Sequence, residues 1–120
     1  MILVDTSVWI DHLRGGNRGL RTLLEQGEVL CHPLIIGEVA CGTLRKRDEV
    51  LSLLDDLPKA VVAQHDEVLE FLNQWRLYGK GIGWIDLHLL ASAQLSGVSL
   101  WTADNRLRIV ASDMGRAASV

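Results

Sequence analysis

Cysteine and histidine are scarce in this chain of 120 residues, which has two cysteines and four histidines. Cys31 and Cys41 lie ten positions apart, without a second pair or a Cys-X-X-Cys spacing, and the histidines are scattered. This pattern argues against a disulfide framework and against a zinc site built from cysteine and histidine. We therefore expect two free thiols.

Long hydrophobic runs are also missing. A membrane-spanning helix needs about 18 or more consecutive apolar residues, and residues 81–103, which come closest, are interrupted by glycine, serine, glutamine and Asp86. The first residues read as a strand and lack the basic region of a signal peptide. We expect a cytoplasmic protein that makes no contact with a membrane.

Positive charge is in deficit, since 12 lysines and arginines stand against 15 aspartates and glutamates, for a net charge of −3. This balance argues against a protein that coats nucleic acid through its bulk potential. No GXXXXGK[ST] phosphate-binding loop occurs either. An anionic ligand would therefore have to bind at a local basic patch.

The chain does contain enough apolar residues for one compact domain, with 48% hydrophobic and 22% charged residues. We expect a single domain over residues 1–120. Short apolar runs predict four strands, at residues 2–4, 29–31, 60–63 and 98–102. Helical patterns occupy residues 8–14, 17–26, a stretch from Pro33 that carries Glu38, and residues 50–57, 65–78, 84–95 and 106–114. This alternation predicts an α/β fold with a parallel sheet and helices on both faces.

Four carboxylates stand almost alone in otherwise uncharged stretches. Asp5 is the only charged residue in residues 1–10, and Glu38 is the only one in residues 33–44. Asp86 is the only one between Lys80 and Asp104, apart from a titratable histidine. Because carboxylates in core-like segments are costly unless they are paired, hydrogen-bonded or bound to a cation, we expect the fold to bring these acids together.

The predicted elements place these acids near one edge of the sheet, where α/β folds bind their ligands. Asp5 ends the first strand, Asp104 follows the last strand, and Asp86 lies in the first turn of its helix. Each acid also has an ordinary alternative. Asp5 and Asp104 have the residue type and position of helix caps, Asp86 those of a first-turn acid favoured by the helix dipole, and Glu38 those of a solvent-facing side chain.

A cluster of four acids needs a hard divalent cation such as Mg²⁺ or Mn²⁺, because like charges repel one another. Such a cation lowers the pKa of a bound water and stabilises in-line attack on phosphorus. These residues therefore indicate a metal-dependent hydrolase, and a nuclease in particular. Arg106 follows the acidic edge directly and is the expected phosphate contact.

Four segments carry a family resemblance: VDTSVWID at the start, LIIGEVACG around Glu38, IGWIDLHLLASA around Asp86, and LWTADNRL near the end. In this order and spacing, the chain resembles the PIN domain and, more narrowly, the VapC-type toxins of VapBC toxin–antitoxin pairs. The resemblance implies a three-layer α/β/α fold with a short parallel sheet of four to five strands. The weak strand pattern of residues 115–120 leaves the fifth strand open.

The resemblance also implies an activity and a site. The activity is that of a Mg²⁺- or Mn²⁺-dependent endoribonuclease that cleaves structured cellular RNA, such as tRNA or rRNA, and restrains growth until an antitoxin binds. By position, Asp5, Glu38, Asp86 and Asp104 match the acidic, metal-binding quartet. Ser7 and Thr102 match the polar positions that order metal, water or phosphate. The implied partners are the RNA, a VapB-like antitoxin and a second copy of the chain.

Two other functions are compatible with parts of the pattern. A PIN-like module could bind RNA or protein without cutting it. An aspartyl-phosphate phosphohydrolase would use Asp5 as its nucleophile, although the chain has Asp-Thr-Ser where such enzymes have Asp-X-Asp. The four tryptophans sit among aliphatic residues. We expect them to pack in the core or an interface, with base stacking as the alternative.

Overall fold

Three short parallel strands form the centre of the fold in the part of the chain that the structure, a computed structural model, describes (residues 1–119). Strand β1 (Ile2–Val4) lies between β2 (Val29–Leu30) and β3 (Ser99–Trp101). Ile2 is paired with Val29 on one side and with Ser99 on the other. Leu3 and Val4 are fully buried, as expected for a parallel sheet that is covered on both faces.

Within residues 1–119 the chain forms seven helices. They are α1 (Thr6–Gly15), α2 (Arg18–Glu25), α3 (Pro33–Ala40), α4 (Arg47–Asp56), α5 (His65–Gln74), α6 (Trp84–Ser96) and α7 (Asn105–Asp113). Helix α3 packs on α1 and on α4, whereas α6 packs on α5 and on β3. This arrangement confirms the predicted α/β architecture. In the same part of the chain, no helix has the length and apolar character needed to cross a membrane.

The sheet is narrower than the predicted four to five strands. Beyond the three strands, each edge is extended by one isolated parallel bridge in the described residues, Cys31 with Lys59 and Leu100 with Ala117. At the second edge, the backbone N–H of Ala118 donates to the carbonyl of Leu100 at 3.0 Å. Up to residue 119, the pairing at this edge is limited to Leu100 and Ala117, so the expected fifth strand is reduced to a bridge there.

The strand predicted over residues 60–63 is wrong for a specific reason. The N–H of Val61 donates to the hydroxyl of Ser96 at 2.8 Å, and that of Ala63 reaches the hydroxyl of Ser92 at 3.4 Å. Both serines belong to α6. The segment therefore directs these backbone donors to helix side chains and not to a neighbouring strand, and Val61 is left 54% exposed.

Two helix ends also differ from the predicted ones. Helix α5 ends at Gln74 and not at residue 78, and the chain then turns through Arg76, which has a positive φ of 52°. Helix α1 begins at Thr6, two residues before its predicted start, and Asp5 caps it, because the Asp5 carboxylate accepts the N–H of Thr6. Both cysteines are free thiols, as predicted, with Cys31 buried and Cys41 exposed.

Candidate active site

Asp5 is the most enclosed of the four acids, with 6% of its surface exposed. It follows β1 directly, at the carboxyl end of the central strand. One carboxylate oxygen, Oδ1, accepts the N–H of Thr6 at 2.8 Å. The other oxygen, Oδ2, accepts the hydroxyls of Thr102 at 2.8 Å and Ser7 at 2.9 Å. Three donors thus compensate this carboxylate for its burial, as buried polar groups require.

Ser7 and Thr102 connect the end of β1 to the segment that follows β3. While donating to Asp5, the Ser7 hydroxyl accepts the N–H of Ala103 at 3.0 Å, and the Thr102 hydroxyl accepts the N–H of Asp104 at 3.1 Å. Both hydroxyls therefore have their donor and one acceptor position engaged within the protein. The network fixes the backbone around Asp104 relative to Asp5.

Asp104 is the N-cap of α7, and its Oδ1 accepts the N–H of Leu107 at 2.9 Å. The capping alternative for this residue is therefore confirmed. The side chain is exposed, so a carboxylate oxygen remains accessible from outside. The positive end of the α7 dipole stabilises the charge of this acid.

Asp86 occupies the third position of α6, where its Oδ2 accepts the N–H of Gly83 at 3.1 Å. Partial burial raises the pKa of this carboxyl group, and the negative charges of Asp5 and Asp104 raise it further, while the Gly83 N–H opposes the shift. Electrostatic coupling therefore joins the three aspartates, which are far apart in sequence. Each lies at the start of a helix, so three helix dipoles act on their combined charge.

Glu38 lies within α3 and is exposed, so its apolar sequence neighbours do not bury it. Its Oε1 accepts the hydroxyl of Thr6 at 3.1 Å. Because the backbone N–H of Thr6 also donates to Asp5, this threonine links Glu38 to the other acids. The position of Thr6 in the DTS triplet did not reveal this role.

The donors at this edge are carboxylate and hydroxyl oxygens, which are the ligands that Mg²⁺ and Mn²⁺ prefer. Among the described residues, no three His, Cys, Asp or Glu side chains stand close enough together to hold a metal ion by themselves. Mg²⁺ usually takes one or two protein carboxylates and keeps several waters. An open set of three aspartates at the starts of α1, α6 and α7 fits that ligand habit.

Arg106 lies on α7, two positions after Asp104, and its side chain covers the backbone of Gly81. A Cβ atom at Gly81 would stand 2.9 Å from both Cδ and Nη1 of Arg106. Gly81 also has a positive φ of 78°, which glycine adopts without strain. The glycine-rich loop before α6 therefore positions this guanidinium, an arrangement that the sequence pattern did not reveal.

The geometry is unfavourable for an aspartyl-phosphate mechanism. A nucleophilic carboxylate needs a free oxygen facing the substrate, whereas Asp5 has one oxygen bonded to Thr6 and the other bonded to Ser7 and Thr102. Donation by three groups also makes the carboxylate a weaker nucleophile. The position of Asp5 therefore suits it to orient and bind a ligand, and not to attack one.

Comparisons with known proteins agree with this arrangement. Residues 2–113 match the PIN domain family. Ribonuclease VapC32 of Mycobacterium tuberculosis, from strain CDC 1551 / Oshkosh and from strain ATCC 25618 / H37Rv, is 48% identical to this chain over 118 residues. That alignment covers 98% of this chain and 95% of the relative.

Among solved structures, the fold is similar to the crystal structure of FitAcB from Neisseria gonorrhoeae, with a TM-score of 0.63. The alignment covers 93% of this chain and 94% of that chain at 23% identity, which supports the fold. The family match and the relatives at 48% identity, each over nearly the whole chain, decide the assignment. The chain belongs to the PIN domain family, among its VapC-type members.

Proposed function

We propose that this protein is the toxin of a type II toxin–antitoxin pair and acts as a Mg²⁺- or Mn²⁺-dependent endoribonuclease. The observation that carries the proposal is the hydrogen-bond network at the carboxyl end of the sheet, in which Thr6, Ser7 and Thr102 tie Asp5 to Glu38 and to the backbone of Asp104. The relatives named Ribonuclease VapC32, at 48% identity, support RNA as the substrate. The proposed targets are structured cellular RNAs, such as tRNA or rRNA.

Asp5, Asp86 and Asp104 would hold the cation, and Glu38 would contribute through its position beside Thr6. A bound divalent ion supplies a water of lowered pKa and positive charge for in-line attack on the phosphodiester. The protein's own contribution is orientation. Ser7 and Thr102 hold Asp5 in place, and Arg106 neutralises and positions a phosphate of the substrate.

The proposed partners follow from the same edge. An arginine or lysine of a VapB-like antitoxin that reached the aspartates would form charge-assisted hydrogen bonds and compete with both metal and phosphate. We further propose that residues 1–120 act as one domain, that the toxin is a cytoplasmic homodimer, and that it forms a hetero-oligomer with its antitoxin.

The test is cleavage of total cellular RNA by the purified protein in the presence of Mn²⁺, Mg²⁺ or EDTA, beside an Asp104→Asn variant. Asparagine is about as good an N-cap as aspartate, so this variant keeps the cap of α7 and removes only the charge. Asp48→Asn is the matched control, because Asp48 is a first-turn acid of α4.

We expect discrete RNA fragments that require a metal, are absent with Asp104→Asn and persist with Asp48→Asn. Fragments that survive EDTA or the Asp104→Asn change would refute the proposed site. A folded, antitoxin-free protein that binds RNA and Mn²⁺ but cuts no RNA pool would instead support the non-cutting module.

A further inference from the structure

A cleft of about 250 Å³ combines an indole with two cations. Its lining includes Trp75, Lys80, Arg106 and Ile109. One wall is α7, whose first residue follows Asp104, and the other is the segment between α5 and α6. The cleft therefore shares a helix and an arginine with the proposed active site.

Trp75 presents an aromatic surface to solvent. It is 40% exposed at the end of α5, and Ile109 across the cleft is 61% exposed. The indole packs at a tilt against Phe71, with ring centroids 6.4 Å apart and an interplanar angle of 47°. This contact restricts the orientation of the ring and leaves part of it free. Such an arrangement suits stacking of a planar ligand.

The two cations of the cleft occupy the glycine-rich loop and the first turn of α7. Lys80 precedes Gly81, and the Arg106 side chain lies against Gly81 itself. A fixed guanidinium is suited to a bidentate contact with a phosphate. An aromatic platform next to two cations matches one nucleotide, whose base is planar and whose phosphate is anionic.

We infer that this cleft is a nucleotide subsite that takes one unpaired base of the RNA, next to the bond that is cleaved. Trp75 stacks on the base, while Arg106 and Lys80 contact the adjoining phosphate. Sequence-tolerant recognition of single-stranded RNA commonly combines stacking with backbone contacts in this way. The inference rests on the proposed function, because it assigns a position within the same substrate.

A second copy of the chain is the competing occupant, and the charges of the cleft oppose it. Interface cores are depleted of charged residues, whereas Lys80, Arg106 and Asp113 all line this cleft. Burying these charged groups against a second copy would remove them from water, which costs free energy. An anionic strand has the opposite charge to the two cations.

The first measurement is the dissociation constant of a fluorescein-labelled single-stranded hexaribonucleotide, in EDTA, on the inactive Asp86→Asn full-length protein. Adding Trp75→Leu should weaken binding about tenfold, since one lost base–aromatic stack has an effect of this order. Tyr78→Leu is the matched control, because Tyr78 is 62% exposed and does not line the cleft. It should leave the affinity unchanged.

The second measurement separates a base contact from a general loss of affinity. Abasic hexamers, each lacking a different base, should bind the Asp86→Asn protein about tenfold more weakly at one position. That penalty should vanish in the Trp75→Leu background, as in a double-mutant cycle. A purely structural role for Trp75 would weaken all hexamers alike.

The cations are tested through salt dependence. A plot of the logarithm of the RNA association constant against the logarithm of the salt concentration has a negative slope. Arg106→Gln should make this slope shallower by about 0.7, the value for one phosphate contact with a single strand. Arg108→Gln should leave the slope unchanged, because the Arg108 guanidinium bonds to the Asn105 side chain and does not line the cleft. Gly81→Ala, which displaces Arg106 and keeps its charge, should also make the slope shallower.

The outcomes distinguish the two proposals. If the Asp86→Asn protein binds no hexamer, the subsite is refuted, while the proposed function is decided separately by the metal-dependent cleavage of total RNA. If it binds RNA and no abasic penalty depends on Trp75, the subsite alone is refuted. A change of oligomeric state in Trp75→Leu, seen by light scattering with RNA binding unaltered, would refute the subsite and assign the cleft to a contact between copies.

Discussion

Helices α5 and α6 begin in the same way. Glu67 is the third residue of α5 and accepts the N–H of Gln64 at 2.8 Å, and Asp86 is the third residue of α6 and accepts the N–H of Gly83 at 3.1 Å. The surroundings of the two acids differ. Glu67 is exposed, whereas Asp86 is partly buried, and this burial raises its pKa, with a further contribution from the charges of Asp5 and Asp104. In α5, this hydrogen bond between the third residue and the N-cap serves only helix formation. In α6, it also places a negative charge near those of Asp5 and Asp104.

The two helices also differ in how they are held. In the described chain, α6 has six buried residues and α5 has two. The Ser92 hydroxyl of α6 lies 3.1 Å from Nε2 of His32, which follows β2. The histidine of α5, His65, is exposed at the first position of that helix. An anchored α6 holds Asp86 at a fixed place relative to the sheet.

The largest expected effect is on RNA cleavage, which should depend on Asp86 and not on Glu67. Asp86→Asn should reduce Mn²⁺-dependent RNA cleavage about 100-fold or more, because charge stabilisation by a metal is worth several kcal/mol. Glu67→Gln removes a charge from the same helical position and should leave the rate within about twofold, as is usual for surface changes. Initial rates on one labelled RNA measure both. Equal losses of activity in the two variants would show that Asp86 and Glu67 do not differ in function.

The next effect concerns the anchor of α6 and its response to acid. Burial and, to a lesser extent, the nearby His88 together lower the pKa of His32 to about 4, while the Leu34 N–H donates to its Nδ1. Because the unfolded chain binds this proton below about pH 6.5 and the folded chain does not, stability falls as pH drops from about 6.5 to about 4. The full loss is about 3 kcal/mol.

Urea unfolding at several pH values measures that loss. His32→Asn keeps a capping side chain for α3 and removes the titration, so its stability should fall less steeply over this range. His65→Asn, on α5, should follow the unmodified protein. An unchanged slope in His32→Asn would show that other groups cause the acid sensitivity.

A smaller effect uses metal binding without catalysis. Mn²⁺ at about ten times its dissociation constant should stabilise the unmodified protein and Glu67→Gln by about 1.4 kcal/mol. Asp86→Asn should gain clearly less, since one proposed ligand has lost its charge. Thermal unfolding with and without Mn²⁺, in the absence of RNA, gives the difference. A full gain in Asp86→Asn would remove this residue from the metal site.

The smallest effect is on the metal-free protein. Glu67→Gln should destabilise it by about 0.3–1 kcal/mol, through loss of a charge at a helix N-terminus. Asp86→Asn loses a similar dipole interaction but relieves the repulsion from Asp5 and Asp104, so its cost should be lower. Urea unfolding in EDTA compares the two. The reverse order would mean that Asp86 gains more from its helix than it loses to its neighbours.

The acids differ in how well sequence context predicted their surroundings. The burial of Asp5 follows from its place at the end of an apolar strand, and its 6% exposure confirms it. Glu38 is exposed despite its apolar neighbours, because a single charge can face outward from an otherwise apolar helix, and Asp104 is exposed at the N-cap of α7. Their roles as metal ligands stay a prediction. Isolation along the chain indicates which acids are unusual, and tertiary contacts decide which are buried.

The incorrect parts of the prediction share a cause, which is contact with distant residues. The hydroxyls of Ser92 and Ser96 take the backbone donors of residues 61 and 63, so a strand-like sequence does not form a strand. Trp75 was expected to pack in the core or in an interface, and its 40% exposure places it outside the core, so the interface and base stacking stay predictions. The local sequence pattern cannot predict these hydrogen bonds, because they join residues about 30 positions apart.

The capping role of Asp104 has an evolutionary consequence. An Asp codon becomes an Asn codon by one nucleotide change, and asparagine caps a helix about as well as aspartate. Since the cap of α7 rests on Oδ1 accepting the Leu107 N–H, such a mutant keeps its fold while losing the charge. Because the proposed metal site uses that charge, a single mutation would be enough to produce a well-folded protein without ribonuclease activity.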